Sequence, residues 1–196
     1  MYFDGGDTLL TDEVAYHFER DSAFTVAVVA RTSSPGCQAL IARTQPAFPG
    51  TDYQGWQTFI CDGCMSFDLS SHWDTDAVSR RCLLIAPEST RFNTYIFVST
   101  GTGRLDGLSV RQNAVDLTTG CTDVDGTPGS INVAGLPTSI GARHLGDRQD
   151  TADNWLTGWI AEIRIYNRAL SPAEALALHA LLDAKWITAA APGCTP

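Results

Sequence analysis

The chain has 196 residues, 44% of them hydrophobic and 18% charged, with a net charge of −9. This is enough apolar material for the core of one all-β domain. The acidic surface repels phosphates and anionic headgroups, which makes nucleic acid and membrane surfaces poor partners. No apolar run reaches the roughly 20 residues that cross a bilayer, and Met1-Tyr2-Phe3-Asp4-Gly5 lacks the basic and apolar regions of a signal peptide. The protein is therefore expected either to avoid that export route or to be a piece of something longer.

Short β-type runs recur between turn signals, the pattern of a sandwich or barrel. Phe24 to Ala30 is the first, closed by Ser33-Ser34-Pro35-Gly36. Gln38 to Arg43, Trp56 to Cys61, Met65 to Leu69 and Cys82 to Ala86 follow. Thr94 to Ser99 has the densest aromatic and β-branched content and ends at Gly101-Thr102-Gly103. Leu105 to Arg111, with Asn113-Ala114-Val115 beyond a tight connection, Thr138 to Arg143 and Trp159 to Tyr166 complete the set. Strict alternation in the last run puts Ile160, Glu162, Arg164 and Tyr166 on one face and Ala161, Ile163, Ile165 and Asn167 on the other. Glu162 and Arg164 then neighbour each other on a solvated face in a structural role. One helix is expected: Ser171 caps it, Pro172 opens it, Glu174 completes a capping box, and Leu178, Leu181, Leu182 and Trp186 form its apolar stripe. His179 on this helix is expected to be partly exposed. The domain spans 1–187 and the tail 188–196.

Six cysteines, Cys37, Cys61, Cys64, Cys82, Cys121 and Cys194, suggest disulfides and an oxidising destination. Cys61-Asp62-Gly63-Cys64 has zinc-type spacing, yet no second pair or His-x-x-x-His accompanies it. An Asp-Gly hairpin bringing two thiols together explains it equally.

Gly158-Trp159-Ile160-Ala161-Glu162-Ile163-Arg164-Ile165-Tyr166 with Asn167-Arg168-Ala169-Leu170-Ser171 strongly resembles the closing strand and turn of laminin G-like, concanavalin A-like domains. Tyr2-Phe3-Asp4-Gly5 resembles that family's opening strand, and Ile140-Gly141-Ala142-Arg143 the strand before its last loop. The resemblance implies an all-β fold, a two-sheet antiparallel jelly-roll sandwich with one short C-terminal helix. The chain departs from the family's pattern at Arg91-Phe92-Asn93-Thr94, where a Trp-His-His is usual, and at Ala161, where many members carry Asp.

Glycan recognition needs flat aromatic faces beside polar groups on loops held by a rigid scaffold. Tyr53, Trp56, Trp73, Arg143, His144 and Trp155 fit that description, whereas Trp159 and Trp186 read as core. Asp147, Asp150 and Asp153 offer hard oxygen ligands in one loop and make calcium the candidate cofactor. The Glu-x-Asp-x-Glu pattern of the fold's hydrolases is absent, and Asp74/Asp76 and Asp123/Asp125 sit in turn-like contexts. No nucleophile elbow accompanies His17, His72, His144 or His179. The expected function is a non-catalytic recognition or adhesion module binding glycan or a surface protein, on an extracellular, cell or virion surface. A self-assembling structural subunit and a carbohydrate-active enzyme are the alternatives.

Overall fold

The computed structural model describes residues 1–12, 15–32, 36–46, 53–61, 63–72, 78–84, 91–116, 123–133, 135–144 and 152–188. In chain order the strands are β1 (Tyr2–Asp4), β2 (Leu9–Leu10), β3 (Ala23–Thr32), β4 (Gln38–Pro46), β5 (Tyr53–Cys61), β6 (Cys64–Ser70), β7 (Val78–Leu84) and β8 (Asn93–Thr100). They continue with β9 (Leu108–Gln112), β10 (Val115–Asp116), β11 (Val124–Asp125), β12 (Ser139–Ile140), β13 (Arg143–His144), β14 (Ala152–Asp153) and β15 (Thr157–Tyr166), and then helix α1 (Pro172–Asp183). Among the described residues these form a six-stranded sheet, β1-β15-β3-β8-β9-β10, a seven-stranded sheet, β11-β7-β6-β5-β4-β12-β2, and the hairpin β13-β14. All pairings are antiparallel. The result is the expected two-sheet sandwich with its C-terminal helix.

The sheets face each other through the alternate residues of the longest strands. Val26 and Val28 of β3, Trp56 and Ile60 of β5, Met65, Phe67 and Leu69 of β6, and Phe97 of β8 share one buried cluster. Phe24 stands at its centre, 4.1 Å from Phe18, 5.5 Å from Trp56 and 5.6 Å from Phe67 between ring centroids. Offset and edge contacts of this kind add to the burial of large apolar area. The opposite face of β3 is also apolar, and Ala27 and Val29 join Ile96, Val98, Leu170, Ala175, Leu178 and Leu182 in a second cluster that seats α1.

Helix α1 starts as its sequence dictates. The Ser171 hydroxyl accepts from the Glu174 amide, Glu174 reaches back to the Ser171 amide, and Pro172 occupies the first turn. Buried Thr25 locks the preceding turn, donating to the Arg168 carbonyl at 2.9 Å and accepting from the Leu170 amide at 3.0 Å. His179 departs from expectation: it is 1% exposed, because its helical position falls on the stripe that meets the sheet, and its Nδ1 lies 3.1 Å from Asp183.

Strand β15 breaks the strict alternation read from the sequence. Ile160 pairs with Ala30, but Glu162 pairs with Val29, so Ala161 is an extra residue in a β-bulge. The bulge turns Ile160, Ile163 and Ile165 together into the main core and sends Glu162 and Arg164 outward. There Glu162 accepts hydrogen bonds from Arg164 at 2.6 Å, Lys185 at 2.8 Å and the Trp186 indole at 2.6 Å. Trp186, expected in the core, is partly buried against the second cluster, and Trp159, also expected there, is half-buried on the outer face.

The run Thr138 to Arg143 is divided in the structure, β12 and β13 being separated at Gly141. Gly141 has φ +83°, and a Cβ there would lie 2.3 Å from two atoms of the Phe3 ring. Likewise Leu105–Gly107 forms a 3-10 turn ahead of β9, and Asn113 and Ala114 take positive φ in the tight β9–β10 connection.

Two outcomes are expected. Gly141→Ala lowers stability by about 3 kcal/mol in urea unfolding, from strain plus overpacking on Phe3, whereas Gly135→Ala, with open space around it, costs about 1 kcal/mol. Burial pushes the Glu162 carboxyl up, but the hydrogen bonds from Lys185, Trp186 and Arg164 outweigh it and hold the group at about 2 against an ordinary 4.5. A depressed carboxyl contributes stability above its unfolded value and loses it as the pH falls through the folded one. Glu162→Gln thus flattens the acid limb between pH 4.5 and about 2, and lowers stability at pH 7 by about 1 to 2 kcal/mol after solvent screening.

Candidate functional site

The outer faces of the two sheets differ in chemistry. On the six-stranded sheet, α1 covers the apolar part of the outer face formed by Ala27, Val29, Ile96 and Val98. On the seven-stranded sheet, Trp56 and Ile60 point into the core, so Tyr53, Gln57 and Phe59 of β5 point outward. Ser66, Asp68 and Ser70 of β6 do the same, alternating with Met65, Phe67 and Leu69. Opposite them in register stand Cys82, Arg80 and Val78 of β7.

Two arginine–carboxylate pairs mark this face, each beside an aromatic ring. Arg143 and Asp153 oppose each other across β13–β14 and make a bidentate pair, Nε to Oδ1 at 2.7 Å and Nη2 to Oδ2 at 2.5 Å. The Arg143 guanidinium carbon lies 3.8 Å from the centroid of the Tyr53 ring, so Tyr53 and Asp153 hold the guanidinium from its face and its edge. The Asp153 side chain is 36% exposed and that of Arg143 10%, so this corner presents its carboxylate to solvent. In the second pair, Arg80 donates to both oxygens of Asp68 at 2.8 and 3.0 Å, and Gln57 Nε2 donates to Asp68 at 3.1 Å. The Asp68 side chain is 1% exposed. Burial opposes the charge of Arg80, yet attraction and hydrogen bonding to Asp68 raise its pKa above the ordinary arginine value. Gln57 Oε1 and Ser66 Oγ beside this pair are buried without hydrogen-bond partners.

Of the residues singled out from the sequence, the structure brings Tyr53, Arg143 and Asp153 together. His144 is placed by its backbone, opposite Ala152, and Trp155, two residues beyond Asp153, is half-buried. Trp56 does not belong with them: it is wholly buried, with its indole 3.4 Å from the Tyr16 carbonyl, because its inward strand position makes it core. Trp73, Asp147, Asp150, Asp74 and Asp76 lie outside the described residues. Both oxygens of Asp153 are taken by Arg143, so a calcium ion there has to compete with a guanidinium. Among the described residues no cluster of three His, Cys, Asp or Glu could hold a metal.

Cys37 and Cys61 form a disulfide that ties the lead into β4 to the end of β5. Cys61 faces Cys64 across the β5–β6 hairpin, and its use in the disulfide removes one thiolate from the zinc-type spacing. Cys82 is buried; Cys121 and Cys194 lie outside the described residues. Asp123 accepts from Arg81 and from the Cys82 amide, each at 2.8 Å. Asp125 accepts from Arg104 and the Leu105 amide. Both are structural anchors of the β7–β11 margin. A shallow cleft of about 320 Å³, lined by Tyr16, His17, Phe18, Ile165, Tyr166 and Asn167, opens elsewhere, at the edge of β15.

Sequence reasoning passed over Gln57, Asp68 and Arg80. The signal for them was present in Met65-Ser66-Phe67-Asp68-Leu69, where a charged residue takes an outward position of an alternating strand, but its partner on β7 is fixed only by register.

No family model matches the chain, and no curated protein matches it. Solved structures do resemble it. The CBM40 of the Ruminococcus gnavus IT-sialidase, bound to α2,3-sialyllactose, is 16% identical with a TM-score of 0.59, over 81% of this chain and 83% of that one. The NanB sialidase of Streptococcus pneumoniae is 17% identical with a TM-score of 0.62, over 89% of this chain but 26% of that one. The binding domain of botulinum neurotoxin serotype D is 12% identical with a TM-score of 0.60, over 92% of this chain and 41% of that one. At these identities the likeness establishes a shared jelly-roll β-sandwich, an architecture found in carbohydrate-binding modules and in the binding domains of toxins; it does not establish the laminin G-like family.

Both substitutions of the paired carboxylates strand a mostly buried guanidinium, Arg80 at 21% and Arg143 at 10% side-chain exposure, so Asp68→Ala and Asp153→Ala are each expected to cost about 3 kcal/mol in denaturant unfolding.

Proposed function

We propose that the chain is a carbohydrate-binding domain that holds a glycan at the Tyr53–Arg143–Asp153 corner and carries out no reaction itself. The observation that carries this reading is the contrast between outer faces: α1 covers the apolar centre of one sheet, and beside the other stands a polar, aromatic-backed corner with an exposed carboxylate. A guanidinium already paired with a carboxylate is suited to sugar hydroxyls, since each Asp153 oxygen has a second lone pair and the pair uses only Nε and Nη2 of Arg143. Half-buried Trp155 adds a ring near the same hairpin. Two solved neighbours, the R. gnavus CBM40 in complex with α2,3- and α2,6-sialyllactose, support a glycan as the ligand class. The Cys37–Cys61 disulfide supports an oxidising, extracellular setting.

The test is a glycan array followed by calorimetry on the wild type, Tyr53→Ala and Arg143→Gln, with folding checked by circular dichroism. Each variant is expected to weaken binding of the selected glycan at least about tenfold, equivalent to roughly 1.4 kcal/mol. Absence of any glycan bound by the wild type, or unchanged affinity in folded Arg143→Gln, overturns the reading.

A further inference from the structure

Arg31 stands apart from the other arginines. It lies on the outer face of β3, where register sets Trp159 beside it and Tyr2 beside Trp159. Its guanidinium carbon is 3.9 Å from the Trp159 ring centroid and 5.7 Å from that of Phe92. The Tyr2 and Trp159 centroids are 4.5 Å apart, and Tyr2 is 50% exposed. Tyr2, Trp159, Arg31 and Phe92 therefore form one row across β1, β15, β3 and the lead into β8.

The two rings engage the face of the guanidinium and leave its N–H fork unused. Arg31 Nε is buried without a hydrogen-bond partner. Among the described residues Arg31 has neither a carboxylate nor a hydrogen-bond acceptor, whereas Arg20, Arg43, Arg80, Arg81, Arg104, Arg143, Arg164 and Arg168 all have polar partners. In a chain of net charge −9 carboxylates are abundant, yet none among the described residues pairs here. Glu162, the carboxylate that register brings nearby on the same face, is committed to Arg164, Lys185 and Trp186. A half-buried cation with an unsatisfied Nε–H is costly by itself, and a planar carboxylate matches a guanidinium edge bidentately. The adjoining Tyr2–Trp159 surface suits the apolar face of a sugar ring.

We infer that Arg31, Trp159, Phe92 and Tyr2 form a second ligand site, on the helix-bearing sheet, that takes the carboxylate of an acidic sugar. The inference rests on the reading of the chain as a carbohydrate-binding domain but uses a different sheet, so the two sites fail separately. The experiment titrates 3′-sialyllactose, glucuronate and neutral lactose into the full chain, followed by calorimetry and by the Trp159 indole resonance, assigned with Trp159→Phe. The acidic probes are expected to shift that resonance and lactose to leave it in place. Arg31→Gln is expected to weaken acidic-sugar binding at least tenfold, with Arg31→Lys intermediate because it keeps the charge and loses the fork. Arg31 leaves no polar partner behind, so Arg31→Gln is expected to melt within a few degrees of wild type. A Trp159 resonance unmoved by both acids, or binding that survives Arg31→Gln and disappears with Arg143→Gln, overturns this site and leaves the Tyr53–Arg143–Asp153 corner standing. Loss with Arg31→Gln alone supports it and overturns the corner.

Discussion

The bulge at Ala161 is the constraint on which the two halves of the molecule depend. Strand β15 lies between β1 and β3 and has apolar neighbours on both faces, the intersheet core on one side and the helix cluster on the other. A regular strand would place Ile160 and Ile163 on opposite faces. One extra residue brings Ile160, Ile163 and Ile165 to the same core and frees Glu162 to receive Arg164, Lys185 and Trp186. The same local irregularity thus completes the core and fastens the end of the C-terminal helix. Buried Thr25 fastens its beginning, through the turn that connects β15 to α1.

With the helix fixed over the six-stranded sheet, the two outer surfaces acquire different roles. The helix removes Ala27, Val29, Ile96 and Val98 from solvent, and what remains open on that sheet is the aromatic row around Arg31. The seven-stranded sheet pairs Arg80 with Asp68, and the β13–β14 hairpin pairs Arg143 with Asp153 beside Tyr53. A paired guanidinium is locally neutral and orients its remaining donors, whereas an unpaired one seeks an anion. The different partners proposed for the two faces, sugar hydroxyls and a sugar carboxylate, follow from that distinction.

Several side chains show where reading from the sequence stops. Trp56 reads from the sequence as a binding aromatic, but its place between Gly55 and Gln57 on β5 makes it inward-facing and it fills the core. Trp159 has the opposite history: within an apolar strand it reads as core, yet it faces out and stacks on Arg31. Both reversals come from period-two alternation, in which a shift of one residue exchanges faces. His179 was expected to be partly exposed and is buried, while Leu181, expected in the apolar stripe, is 52% exposed, since the buried face of α1 runs through Ala175, Leu178, His179 and Leu182.

By itself the sequence determined the elements with local causes. The capping box at Ser171 and Glu174, the strand at Thr94 to Ser99, the breaks at Gly101 and Gly103, and the sandwich class all arise from interactions within a few residues, which composition and spacing record. The tertiary structure alone decided the bulge at Ala161, the division of Thr138 to Arg143 by the Phe3 ring against Gly141, the Cys37–Cys61 pairing, and which arginines find carboxylates. Those features join residues far apart in the chain, and register, not local propensity, chooses their partners.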